Sequence, residues 1–347
     1  MHHIIREDLE SIAEADLDWF RFRGKTILIT GGAGFLASYM VETLLFLNET
    51  IHLRCRVVCL IRNLEKAKER FAHHPSRSDL IFVVGDIAES FNVGCPCDFI
   101  IHAASHASPK LFGIDPVGVM AANLRGTSQL LDLSLEWKCE GLLLFSSGEV
   151  YGQVTPEKVP TREVDYGYID ILNPRSCYAE SKRAAETLVI CHSSQFATRN
   201  VIIRPFHTYG PGISLDDGRV FADFVRDVVD MKNITLHGDG KAIRAFCYIS
   251  DAVVGFFTVL LKGENAQAYN VGNPNGTISI GELADLIANL FPERGISVDG
   301  LAKPSAGYLE SPIQINSPHI EKIAKLGWKP SVTPSEGFSR TIRFYTE

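Results

Sequence analysis

Lys25-Thr26-Ile27-Leu28-Ile29-Thr30-Gly31-Gly32-Ala33-Gly34-Phe35-Leu36-Ala37 is the stretch on which the fold turns. Thr26–Thr30 is short and β-rich, and helical text runs on through Leu47. Between them, Gly31-x-x-Gly34-x-x-Ala37 places small residues where a strand must bend sharply into a helix. Such a bend lets backbone N–H groups approach a pyrophosphate, which then lies at the positive end of the helix. A glycine pattern alone says little. One that follows a strand, opens a helix and begins a βαβ unit points to a dinucleotide site. Gly31, Gly34, Phe35 and Leu36 are the residues it places at the cofactor.

Outward from this stretch, strand text recurs at 57–61, at 80–84 before Gly85-Asp86, and at 99–102, 141–146 and 201–205, with helical text between. Strands alternating with helices predict an α/β fold: a Rossmann-type, doubly wound parallel sheet with a smaller C-terminal substrate-binding lobe. Residues 1–23 read as an N-terminal helical extension, with one amphipathic helix over 4–20 docked on the sheet edge or at a subunit contact. Residues 24–205 read as the dinucleotide-binding domain, rejoined by 241–275, in which 268–272 returns as a strand. Residues 206–240 and 276–347 read as the substrate lobe, with an amphipathic helix over 279–290. The tail, with Pro304, Pro312, Pro318, Pro330 and Pro334, reads as loops around one helix.

The bulk properties exclude several classes. A net charge of -7 over 347 residues lacks the basic face that nucleic acid needs. No apolar run reaches the about 20 residues that span a bilayer, and no signal-peptide pattern opens the chain, so a cytoplasmic protein is expected. The 8 cysteines show no paired Cys-x-x-Cys spacing and read as buried free thiols, with Cys95-Pro96-Cys97 in a turn. No metal is expected.

Two further features carry chemistry. Ile61-Arg62-Asn63 stands where an acidic residue would bind the ribose hydroxyls of NAD; Arg62 suits a 2′-phosphate and opens NADP as an alternative. Tyr178-Ala179-Glu180-Ser181-Lys182 puts a phenol and an ammonium on one helix face, where the cation favours the phenolate as a base toward a hydroxyl. Ser147, at a strand end, can bond the same hydroxyl, and the helix carrying Asn123 lies between.

On these residues, together with Gly85-Asp86-Ile87, His102-Ala103-Ala104-Ser105 and Ser147-Gly148-Glu149-Val150-Tyr151-Gly152, the chain resembles extended short-chain dehydrogenases of the NAD-dependent epimerase/dehydratase family. The likeness is strongest to UDP-glucuronate decarboxylases. It lies in Asn173–Tyr178, Asp217–Val220, Gly238–Phe246, Tyr248–Asp251 and Asn270–Pro274, and runs from about Gly24 to Trp328. The resemblance implies an enzyme that binds a nucleotide-diphosphate sugar and transiently oxidises its 4-position. Tyr178 would take the proton, Lys182 would tune it and hold the nicotinamide ribose, and Glu149 would act on the proton at the 5-position. Asp86, Ile87, Ala103 and Ala104 would join the cofactor site; Ser108, His207, Arg219 and Arg244 would contact substrate. A homodimer is implied as well.

Three positions depart from that pattern. Gly148 stands where 4,6-dehydratases carry an aspartic acid and decarboxylases usually a serine. His207 replaces an asparagine that faces the sugar phosphate. Asn316-Ser317-Pro318-His319-Ile320 replaces a segment whose arginine holds the substrate carboxylate, which leaves protonated His207 or His319 as the substitute cation. The leading expectation is therefore a decarboxylase-like enzyme. Its alternative is an epimerase or 4,6-dehydratase, and a non-catalytic NAD(P)-binding regulator is a remote third that intact Ser147, Tyr178 and Lys182 oppose.

Overall fold

The computed structural model describes residues 1–74, 76–302 and 311–347. The chain runs α1 (His3–Ala13), β1 (Thr26–Thr30), α2 (Phe35–Thr50), β2 (Arg56–Ile61), α3 (Leu64–Arg70), β3 (Leu80–Val84), β4 (Phe99–His102), α4 (Pro109–Phe112), α5 (Pro116–Glu136), β5 (Gly141–Phe145), α6 (Ser176–Phe196) and β6 (Asn200–Pro205). It continues through β7 (His207–Tyr209), α7 (Val220–Val229), β8 (Ile234–His237), β9 (Ile243–Tyr248), α8 (Ile249–Lys262), β10 (Gln267–Val271), β11 (Thr277–Ser279) and α9 (Ile280–Ala288). β12 (Val298–Ala302), β13 (Ile315–Asn316), α10 (Glu321–Ala324) and α11 (Pro334–Thr346) complete it.

Seven strands form the main sheet in the order β10-β6-β5-β4-β1-β2-β3, all neighbours parallel. Alternation along β1 explains the two layers of helices. Ile27 and Ile29 join a core with Leu44 of α2 and Phe256 of α8, while Leu28 joins Leu130 of α5 and Val189 of α6 on the opposite face. Each fully buried side chain of this kind contributes roughly 1.5–3 kcal/mol. The strand order reverses between β1 and β4, so a crevice opens at their carboxyl ends.

A second sheet has β9 at its centre, paired with β7, β11 and β13, and β8 pairs separately with β12. This corrects the reading of 241–275 at its start: β9 belongs to the small sheet, and the return to the main sheet is made by α8 and β10. The tail differs too. It carries α11 as well as the short α10, because Thr333 caps α11 and Phe338 and Ile342 bury its inner face. Pro304 lies outside the described residues.

The single helix expected over 4–20 also stops early. Trp19 Nε1 donates to the Ala13 carbonyl at 3.2 Å, closing the helix end and seating the indole against Phe257. α1 docks through Asp8, which accepts from Tyr39 and Tyr248 hydroxyls at 3.1 and 3.0 Å and from Arg340 at 2.9 Å. It thus lies on α2 and α8 rather than on a sheet edge.

Arg204 of β6 is 1% exposed and ties the layers together. Its guanidinium donates to both Glu186 oxygens at 2.9 and 2.6 Å, to the Tyr151 hydroxyl at 2.8 Å and to the Glu163 carbonyl at 2.8 Å. Removing one member of a buried ion pair leaves the other charge uncompensated. Arg204→Met is therefore expected to lower the unfolding free energy by about 3–5 kcal/mol, read from urea denaturation. A loss under about 1 kcal/mol would mean that solvent reaches Glu186.

Candidate functional site

The crevice between β1 and β4 begins at Gly31. Its φ is +67°, and a Cβ there would sit 2.9 Å from Ala104 Cα, so only glycine lets the two strand ends approach. Thr30 Oγ1 bonds both His102 Nδ1 at 2.9 Å and the Ala104 N–H at 3.1 Å, locking that approach. Gly34 caps α2 without a side chain, leaving the first-turn N–H groups of Phe35 and Leu36 without a side-chain cap. A bare helix start beside a close backbone contact fits a pyrophosphate.

The residues expected at the far end of the cofactor follow β2 and β3. Arg62 follows β2, and its Nη1 lies 2.9 Å from His106 Nε2. Asp86 follows β3 and accepts from the Ala88 N–H at 2.8 Å. Ile87 is buried under α5, where a Cβ on Gly126 would lie 2.6 Å from its side chain.

Deeper in, Tyr178 and Lys182 share the inner face of α6, as the spacing requires. Tyr178 stacks on Phe112 at 5.0 Å and hydrogen-bonds Ser147. Burial pushes its phenol up from the ordinary value, and Ser147 and the Arg219 charge pull it back. Arg219, which the sequence placed only at substrate, is thus a cation acting on Tyr178. Lys182 Nζ instead donates to the Phe145 carbonyl at 2.6 Å, 5.8 Å from the Tyr178 ring centroid. Burial brings its ammonium down to about 7 despite Glu186 nearby. His102 beside it falls to about 3, first through burial and then through the Lys182 charge.

Glu149 meets a partner the sequence did not reveal: Arg175 Nη1 lies 3.1 Å from its Oε2. Ser108 donates to the Asp217 carbonyl at 2.7 Å, and Arg219 Nε lies 3.2 Å from Asp217 Oδ1, so these two residues latch one loop. Arg244 is 9% exposed and donates to the carbonyls of Ile313 and Gln314 at 2.8 and 3.0 Å. It stands in register with Asn316, whose Oδ1 would lie 3.4 Å from a Cβ on Gly148. Asn316 therefore does line the site.

His207 does not replace the missing arginine as a cation. His207 is held well below its ordinary pKa by burial first, then by Arg244 and Arg219, so it is neutral. Its Nδ1 has no hydrogen-bond partner among the described residues. His319 faces Glu321, with Nε2 3.8 Å from the carboxylate.

Residues 27–272 match the NAD dependent epimerase/dehydratase family. UDP-glucuronic acid decarboxylase 6 of Arabidopsis thaliana is 35% identical over 90% of this chain and 86% of its own. UDP-glucuronic acid decarboxylase 1 of Xenopus tropicalis is 32% identical over 92% of this chain and 72% of its own. Among solved structures, a UDP-glucuronic acid 4-epimerase variant from Bacillus cereus superposes with a TM-score of 0.78 at 22% identity, covering 92% of this chain and 99% of that one. At that identity the likeness concerns the fold.

Lys182 supplies a test of the site. An unfolded lysine keeps its proton to about 10.5, whereas the folded one releases it near 7. Between those values folding expels a proton, so the burden of this residue on stability is full below about pH 7, still large at pH 7, and fades as pH rises toward 10.5. Lys182→Met is expected to melt above the parent at pH 7, with the gap closing toward pH 10, while turnover falls. A lower melting temperature at pH 7 would show that the ammonium is well solvated.

Proposed function

Since the chain belongs to the NAD-dependent epimerase/dehydratase family, we propose that it binds a nucleotide-diphosphate sugar and oxidises the sugar 4-position transiently. The observation that carries this is the Tyr178 phenol, bonded to Ser147 and under the Arg219 charge at the mouth of a dinucleotide crevice. NAD is the cofactor of this reading, and the Gly31–Leu36 turn fits its pyrophosphate. The alternative, NADP, rests on Arg62. Held by the Gly31–Leu36 turn and Lys182, the cofactor would supply a reversible hydride acceptor for the sugar 4-carbon.

The side chains divide the remaining work. Tyr178 removes the 4-hydroxyl proton, and Ser147 orients that hydroxyl. Arg219 stabilises the phenolate, and Lys182 holds the nicotinamide ribose. Arg219, Arg244 and neutral His207 face the diphosphate. Once the 4-carbon is a ketone the neighbouring carbons are acidified, and Glu149, aligned by Arg175, serves as base or anion stabiliser there. A homodimer through α5 and α6 accords with exposed Val117 and Met120 on the first and Leu188 and Ile190 on the second.

Of the reactions open to a 4-keto sugar, decarboxylation of UDP-glucuronate is the leading one, supported by the decarboxylases 32–35% identical to this chain. A specific observation favours a second reading, epimerisation or dehydration of a neutral sugar. Asn316 beside Gly148 offers no bidentate grip on a carboxylate.

Tyr178→Phe is expected to leave a folded protein and to cut turnover by about 10²–10⁴-fold. A fully active variant would refute the mechanism. Products from UDP-, dTDP-, GDP- and CDP-sugars, followed by mass spectrometry, decide between the two reactions. Carbon dioxide released from UDP-glucuronate is the expected result. No carbon dioxide, with proton exchange or a 4-keto product on a neutral sugar nucleotide, selects the second reading.

A further inference from the structure

Away from the crevice, Glu42 of α2 meets two consecutive histidines that follow α3. His74 Nε2 lies 2.7 Å from Glu42 Oε2, and His73 Nε2 lies 3.0 Å from Glu42 Oε1. Their ligand atoms all fall within 4.8 Å of one another, the one such His/Cys/Asp/Glu group found among the described residues. We propose that Glu42, His73 and His74 form a binding site for one borderline divalent cation of the zinc class.

Donor chemistry and spacing support this. Two imidazoles and a carboxylate are a ligand set that zinc accepts, with a fourth position left for water. Zinc bonds of about 2.0–2.2 Å in tetrahedral array put ligand atoms roughly 3.3 Å apart. The observed 2.7 and 3.0 Å therefore need to open only slightly to admit an ion. A hydrogen-bonded cluster explains less. His73 Nε2 is buried and, among the described residues, lacks a hydrogen bond of good geometry, although the carboxylate is beside it. The two rings lie 4.3 Å apart, so two imidazolium charges would repel each other, whereas one metal ion satisfies all three ligands.

Surroundings matter as well. His74 borders an open cavity of about 310 Å³, also lined by Phe71 and Ser76, which supplies an entry path. Two cations line it, Lys68 and Arg77, and both are engaged by carboxylates, Glu65 and Asp79 respectively. Behind Glu42 lies the fully buried Cys59, close enough to feel its charge. A Cβ on Gly32 would meet Cys59 Sγ at 2.7 Å. The ion would thus fasten the segment after α3 to α2 directly behind the Gly31–Gly34 turn. The earlier expectation of no metal rested on local spacing, to which this cluster, assembled from distant residues, contributes no signal.

The test uses the full, untagged chain, stripped with a chelator. Zn²⁺ is titrated by calorimetry, and Co²⁺ by its visible ligand-field absorption. One ion per chain is expected, with micromolar or tighter affinity. Loss even of an outer-shell partner typically costs about 10–100-fold in metal affinity, so Glu42→Gln and His74→Ala should each cost at least that. His73→Gln, at the most exposed of the three, carries the test if either variant fails to fold. The N-terminal pair His2 and His3 is the control, and its double glutamine variant should bind as the parent does. No binding by the parent, or binding that survives the Glu42 and His74 changes and vanishes with His2 and His3, overturns the proposal.

Discussion

Lys182 Nζ, 2.6 Å from the Phe145 carbonyl at the end of β5, is an ammonium in a residue only 2% exposed. Holding a charge there is costly, and the neighbouring groups are arranged around that cost. Glu186, one helical turn along α6, favours the charged form. The same carboxylate accepts from Ser146 and takes both prongs of Arg204. Arg204 in turn holds Tyr151, whose hydroxyl donates to Asn270 of β10. One continuous set of charges and hydrogen bonds thus runs from α6 through β6 to the edge strand. It fixes the height of α6 above the sheet, and with it the position of Tyr178. The stability that Lys182 costs and the placement of Tyr178 have the same physical origin.

How much of this was legible in the sequence depended on range. Gly31, Gly34 and the strand before them declare themselves because a tight turn needs small residues at fixed local offsets. Tyr178 and Lys182 do so because four residues bring side chains to one helix face. β7, β11 and β13 have two or three residues each, too few for any period to show, and their common partner β9 lies far away in the chain. The small sheet therefore went unread: β9 was assigned with 241–275 to the dinucleotide-binding domain, and the tail was read as loops around one helix. Arg175 stood in a quoted motif, but nothing local could show that it reaches Glu149. Arg219 was assigned to substrate alone, because its pull on Tyr178 comes from a loop folded back across the crevice.

At the sugar end, the departures from the family pattern form one coherent surface. Gly148 removes an acid or a hydroxyl, and the space beside it is bounded by Asn316 and Phe206. Glu149 remains, held by Arg175, so proton removal at an acidified carbon keeps its instrument while protonation of a leaving hydroxyl loses the family's aspartic acid. An amide in place of a guanidinium makes the same wall neutral. On the proposed reading, this surface keeps the groups for 4-position oxidation and carbon-acid chemistry, and lacks both the acid of the dehydratase step and a guanidinium for the carboxylate grip.

His207 completes this logic. Neutral imidazole has one N–H donor and one acceptor nitrogen, the same two roles that an asparagine amide offers. A protonated ring would have two donors and no acceptor. Burial, with Arg244 and Arg219 close by, keeps the ring neutral, and its Nδ1 is buried without a partner among the described residues. The two arginines therefore do more than supply positive charge. By excluding a third cation from the site, they let histidine stand in for asparagine with its hydrogen-bonding pattern unchanged. Burial is the larger cause of that neutrality, and the two arginines reinforce it.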